Sequence, residues 1–265
     1  IPAQSERTGM ANPTMQRQFG SYPEVTDATL ATAPPSPITS DSESMTIGGT
    51  SAKTGFLLLL VLASGSWGWS LVDPAAGETS IPGWWFLVFI GVMVLAIVTA
   101  FRPQLAIITG PLYALAMGVA VGAISHIYDA QWDGIVIQAI LATAAVFIVM
   151  LILFVTRTIK VTNRMRGIII GATFGIALFY VASIVLSLFG VSIPYVWDSG
   201  PIGILFSVFV VGIAAFNLML DFDMIERGVQ ARAPKSLEWY GAFGLMVTII
   251  WMYIEILRLL GKARN

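Results

Sequence analysis

The sequence predicts an all-α polytopic membrane protein, a bundle of seven transmembrane helices. Three observations carry that expectation. Seven long apolar stretches follow one another between residues 54 and 260, parted by short polar breaks. Hydrophobic residues make up 57% of the 265 and charged residues only 11%, with mean hydropathy +0.82, against about 25% charged in soluble domains. The stretches are too long for barrel strands and do not alternate apolar with polar, and lipid admits only helices or closed barrels.

Residues 1–52 come first and are different material, rich in Ser, Thr, Pro and Ala, as in Ala33-Pro34-Pro35-Ser36-Pro37. They show no helical period and are expected to form a disordered cytoplasmic tail, with the seven-helix domain running from 53 to 262. The expected spans are 54–72, 83–101, 105–124, 134–155, 167–188, 202–220 and 239–260. Each reaches the ~18 residues that cross a hydrocarbon layer of about 30 Å. The first ends at Asp73-Pro74 and the second at Arg102-Pro103. The third carries Gly118 and Gly122 one turn apart, and the fourth follows Gly134. The fifth carries Gly167, Gly171 and Gly175 and is followed by Pro194. Gly200-Pro201 opens the sixth, and Ala233-Pro234 separates it from the seventh. These are helix-stopping dipeptides. Trp84, Trp85, Trp132, Trp197, Trp239 and Tyr240 sit near the ends, as an aromatic belt does. Both glycine stripes predict close helix contacts, chiefly inside one bundle.

Basic residues set the orientation. Arg102 lies in the second break, Arg157, Lys160, Arg164 and Arg166 in the fourth, and Arg227, Arg232 and Lys235 in the sixth. The first, third and fifth breaks have no Lys or Arg. Even-numbered loops and the tail are therefore expected on the cytoplasmic side. The C-terminus then falls outside, weakly opposed by Arg258, Lys262 and Arg264, and a re-entrant last segment is the alternative.

Composition also excludes chemistry. The chain has no cysteine and one histidine, His126, so thiol catalysis, disulfides and multi-histidine metal sites are ruled out. A net charge of −1 leaves no basic surface for nucleic acid. No nucleophile–base pair stands out, so an enzyme is not expected. His126 reads as a solvated loop residue. Intramembrane charges are the remaining pointers, because each costs about 2.5–3.5 kcal/mol on insertion scales. Asp221 lies one to two turns inside the sixth span's end if the helix continues to Arg227, and needs a cation, a proton or an arginine from another helix. Asp223 can pair with Arg227 at i,i+4 as an exposed ion pair, and Glu255 with Arg258 at i,i+3. Glu238 reads as a helix N-terminal charge. Arg102 is either a positive-inside anchor or the counter-ion of Asp221.

Several stretches resemble the Bax inhibitor-1 family, the transmembrane Bax inhibitor motif superfamily, and its bacterial branch in particular. They are Arg102-Pro-Gln-Leu-Ala with Gly-Pro-Leu-Tyr-Ala, the segments at Gly118 and Gly134, Ala215-Phe-Asn-Leu-Met-Leu-Asp-Phe-Asp-Met-Ile-Glu-Arg-Gly, and Ala233-Pro-Lys-Ser-Leu-Glu-Trp-Tyr-Gly through Glu255-Ile-Leu-Arg. The resemblance covers about residues 45–262. It implies a seven-helix bundle with a central last helix and a slow, pH-sensitive calcium leak. It also implies two aspartates that share a proton and latch the pore, with an arginine of the second helix able to pair with the first. Asp221 matches the first aspartate and Arg102 the arginine. Thr248 stands where the second aspartate belongs, with Glu255 seven residues later. Met117 stands where relatives often carry an acid.

The leading expectation is a calcium or cation leak channel of the plasma membrane, gated by carboxylate protonation at its cytoplasmic mouth. Asp221, Asp223, Glu255 and Arg102 are its ion- or pH-sensing candidates, and Asp221 is the candidate site for a calcium ion or a proton. No other cofactor is implied, and the chain is a monomer or a homo-oligomer in the bilayer. The alternative is a non-conducting interaction protein that modulates a membrane protease or stress survival.

Overall fold

The computed structural model describes residues 44–73, 85–190 and 199–265, all within one compact unit from Asp41 to Asn265. Among the described residues there are seven α-helices and no strand. In chain order they are α1 (Ile47–Ser70), α2 (Trp85–Phe101), α3 (Ala106–Gln131), α4 (Ile135–Val155), α5 (Asn163–Leu188), α6 (Pro201–Gln230) and α7 (Leu237–Arg264). A 3₁₀ turn, Pro103–Leu105, joins α2 to α3. Six of the helices are long and apolar enough to cross a membrane. The 17 described residues of α2 correspond to about 25 Å and fall just short. Residues 1–43 of the expected 1–52 tail, and Trp84, Pro194 and Trp197, lie outside the described residues.

Local chemistry explains where the helices start. Thr46 caps α1 by accepting the Gly49 N–H at 2.9 Å, and Thr162 caps α5 by accepting the Met165 N–H at 3.2 Å. Gly134 precedes α4 with φ 72°, a left-handed value that favours glycine. Pro201 opens α6 at a position whose N–H has no helical partner anyway. The α1 cap corrects the expected tail boundary. Residues 44–52 belong to the folded domain, with Met45 and Thr50 buried and the Met45 N–H donating to Ala233 O at 2.7 Å. Polar Thr46, Ser51 and Lys53 hid seven residues of helix from a reading based on apolar length.

The last helix is central. One face of α7, including Met252, Ile256 and Leu257, packs with α4 and α6 around Leu218, Met219 and Phe222. Its other face, including Ala242, Met246 and Ile250, packs with α1, α2 and α3 around Leu57, Val61 and Tyr113. By contrast α2 packs on α3 and its adjoining turn, and α5 on α6. Their outward apolar side chains, such as Leu87, Phe174 and Leu178, are exposed as lipid requires.

The glycine stripes part company. Gly118 and Gly122 of α3 press against Val61, Ser64 and Gly65 of α1, and Gly68 presses against Val119, so closely that a Cβ at any of Gly118, Gly122 or Gly68 would overlap backbone. This is the small-residue contact the spacing predicts. At Gly167, Gly171 and Gly175 a Cβ would meet nothing within 4 Å, so that expected contact is not made within the chain. Spacing alone cannot tell a helix face turned to a neighbour from one turned to lipid.

Candidate functional site

The basic breaks meet at one end of the bundle, and α6 brings its acids to that end. An α-helix turns about 100° per residue, so Asp221 and Asp223 point to nearly opposite sides of α6. Asp221 faces α7. Its Oδ2 accepts the Thr248 hydroxyl at 2.6 Å, and Gly244 of α7 lies alongside. No ion pair to Asp221 occurs among the described residues. Because α6 runs on to Gln230, Asp221 sits about 14 Å inside the helix end, deeper than the expected one to two turns. One turn earlier, Asn217 donates to Thr173 Oγ1 at 2.8 Å and thereby ties α6 to α5.

Asp223 faces away from α7. It accepts from Arg227 at 2.6 Å, the expected i,i+4 pair, and also from Arg166 of α5 at 2.5 Å. Glu226 accepts from Arg157 in the loop after α4 and from Gln230 at 3.3 Å. The hydrogen bond that Arg157 donates to Glu226, reinforced by the carboxylate charge, holds the Arg157 guanidinium above its ordinary pKa, so it stays cationic. Arg102 is not in this group. It is exposed at the start of the 3₁₀ turn, and its side chain makes no capping hydrogen bond there. The pairing of Arg102 with Asp221 is therefore not present, because the turn that carries Arg102 packs on α2, α3 and α7, not on α6.

Glu255 belongs to a second cluster toward the far end, about 27 Å along α7. It is 1% exposed and accepts from Tyr180 Oη at 3.0 Å, Trp251 Nε1 at 3.3 Å and Arg258 at 3.2 Å. Arg258 also donates to Tyr180 Oη at 2.7 Å and lies 5.0 Å over the Tyr180 ring. One turn beyond, buried Lys262 donates to Gly203 O at 3.1 Å and Ser207 Oγ at 3.0 Å, which joins α7 to the start of α6. The i,i+3 pairing with Arg258 is as expected, but Glu255 is enclosed in protein. Sequence does not single out Tyr180 and Trp251, since aromatic donors in apolar helices look like core, and it reads Lys262 only as a charge bearing on orientation.

Two further residues are corrected. Glu238 is fully buried and accepts from Thr46 N and Oγ1, each at 2.9 Å, and from Lys53. It staples α1 to α7 and is more than an end charge. His126 lies within α3, stacked on Trp69 at 4.6 Å between ring centroids, with Nδ1 2.8 Å from Trp69 O. It is a packed contact, where sequence predicted a solvated loop residue.

A resident calcium ion takes six to eight oxygens. Asp221 is joined by one hydroxyl, and no three Asp, Glu, His or Cys side chains gather among the described residues. The site thus lacks the donors of a resident calcium site.

A polytopic helical membrane protein, with an acid–hydroxyl contact between its last two helices and ion pairs around its basic end, is what these elements define. The family described as Bax inhibitor 1 like matches residues 3–265, and the chain belongs to that family. No curated protein and no solved structure matches the chain.

Proposed function

We propose that the protein is a pH-sensitive leak channel for calcium or another cation in the plasma membrane, serving ion homeostasis, with Asp221 as its sensor near the cytoplasmic mouth. The observation that supports this reading is the Asp221–Thr248 hydrogen bond between α6 and α7. A carboxylate at that depth must be paired, protonated or hydrated. Among the described residues its one partner is the neutral Thr248 hydroxyl, and no counter-charge there opposes a change in its protonation. An ionised Asp221 draws water between α6 and α7, whereas a neutral one leaves the seam dry. Asp223 and Glu226 are neutralised by arginines and act as structural ties. Calcium enters this reading as cargo in transit. No resident cofactor and no catalytic role are included, and the bacterial branch is retained on the motifs at 215–228 and 233–241.

A non-conducting protein that modulates a membrane protease is the second reading. Thr248 in place of a second acid favours it, since a lone carboxylate gives a cation few ligands. Calcium and sodium flux into proteoliposomes across a pH series separates the two. The channel reading expects flux that varies with pH in the wild type and loses most of that variation in Asp221→Asn, with the fold intact. No flux at any pH discards the channel. Identical profiles in wild type and variant discard Asp221 as its sensor.

A further inference from the structure

We propose that the cavity between α1 and α4 is a binding site for one anionic glycerophospholipid, its acyl chains within the cavity and its phosphate on Arg157. The cavity has a volume of about 1040 Å³ and opens sideways, because α1 and α4 do not pack on each other. Leu58, Leu62, Ile140, Phe147, Ile148 and Leu151 are among its lining residues. Most of the hydroxyls in its wall are spent within the protein. Thr50 donates to Thr46 O at 2.8 Å, Thr54 to Thr50 O at 3.0 Å and Thr143 to Ala139 O at 2.7 Å, while Ser125 and Tyr253 bond each other at 2.7 Å. Apolar walls of this kind do not hold water. They offer hydrocarbon a matching surface.

The length fits a lipid tail. Along α4 the lining runs from Val136 to Val155, about 28 Å, nearly twice one leaflet of a hydrocarbon core about 30 Å thick and so ample for an acyl chain that starts at the Arg157 end. Polarity appears at one end. Arg157 is the lining cation there, with its side chain 57% exposed, and Glu226 beside it is 20% exposed and turned to Arg157. Lys160 is exposed on the same loop, and Arg164 is exposed in the first turn of α5. Arg157, Lys160, Arg164 and Arg166, all within ten residues of chain, stand against two carboxylates, Asp223 and Glu226, so this end is net positive. Basic pockets between transmembrane helices capture anionic head groups in this way, and guanidinium matches phosphate geometry. A zwitterionic head group would bring its own ammonium toward these cations.

Native mass spectrometry and thermal melting of the full chain in neutral detergent test the site. The probes are phosphatidylglycerol, phosphatidylcholine of the same chains, and glycerol 3-phosphate. The site expects one phosphatidylglycerol per chain, retained and stabilising in preference to phosphatidylcholine, and no shift with glycerol 3-phosphate. Arg157→Gln should weaken phosphatidylglycerol about fivefold, the weight of one interfacial cation, and leave phosphatidylcholine unchanged. Ala144→Trp, which fills the cavity wall, should weaken both lipids. Should Arg157→Gln fail to fold, Arg157→Lys must keep the preference while Ala144→Trp loses binding. Equal binding of both lipids, full retention in Arg157→Gln or Ala144→Trp, or a shift given by glycerol 3-phosphate alone would overturn the proposal.

Discussion

Asp221 and Glu255 show how differently two buried acids can be held. Glu255 has an ionic partner and two neutral donors, whereas Asp221 has one hydroxyl. Removing one member of a buried ion pair strands the other, at a cost of about 3 kcal/mol or more. Glu255→Gln should therefore lower stability by that order in a detergent melt while leaving any pH response in place. Arg102→Gln should leave the pH profile of flux where it is, since Arg102 is exposed and outside the α6 acid group. A displaced profile would show that the arginine reaches Asp221 in another state. The positions of these acids were legible, because charges are scarce in apolar runs. Their partners were legible only within one helix, as for Asp223 with Arg227. Tyr180 and Thr46 are 75 and 192 residues away from the carboxylates they serve, and no local pattern encodes that.

At the level of elements, all seven helices announced themselves by apolar length, and only the described part of α2 falls short of spanning length. The start of α1 did not, because its first turn is polar and draws its reason from Glu238 and Ala233. Packing separates the two glycine stripes experimentally. Gly122→Val drives side-chain atoms into the Gly65 backbone, and overpacking of this kind costs about 1–3 kcal/mol. Gly171→Ala meets open space and should change stability by less than about 0.5 kcal/mol, as exposed substitutions do. Comparable losses in both variants, by thermal melting in detergent, would place α5 against another surface.

For the whole molecule, the basic breaks and the N-terminal cap of α1 share one end of the bundle, as Met45 with Ala233 and Arg157 with Glu226 demonstrate. From the asymmetry of basic charge, that end is expected to face the cytoplasm. The absence of native cysteine makes the check simple, for Asn163→Cys and Gly77→Cys should react with an impermeant maleimide from opposite sides of the membrane. Reaction of both from one side would invert the assignment of a loop.

The ties around that end sort the helices into two rafts. Glu238 fastens α1 to α7, and the glycine contacts fasten α3 to α1. Arg157, Arg166 and Asn217 fasten the loop after α4, and α5, to α6. The Asp221–Thr248 bond stitches one raft to the other, and the lipid-sized gap between α1 and α4 lies along the same seam. Lys262 with Gly203 and Ser207, and Glu255 with Tyr180, hold the same two rafts together at the far end, so loss of the stitch loosens the basic end alone. On the two proposals above, proton and lipid would act at the same end of one seam, the first on its bond and the second on its gap.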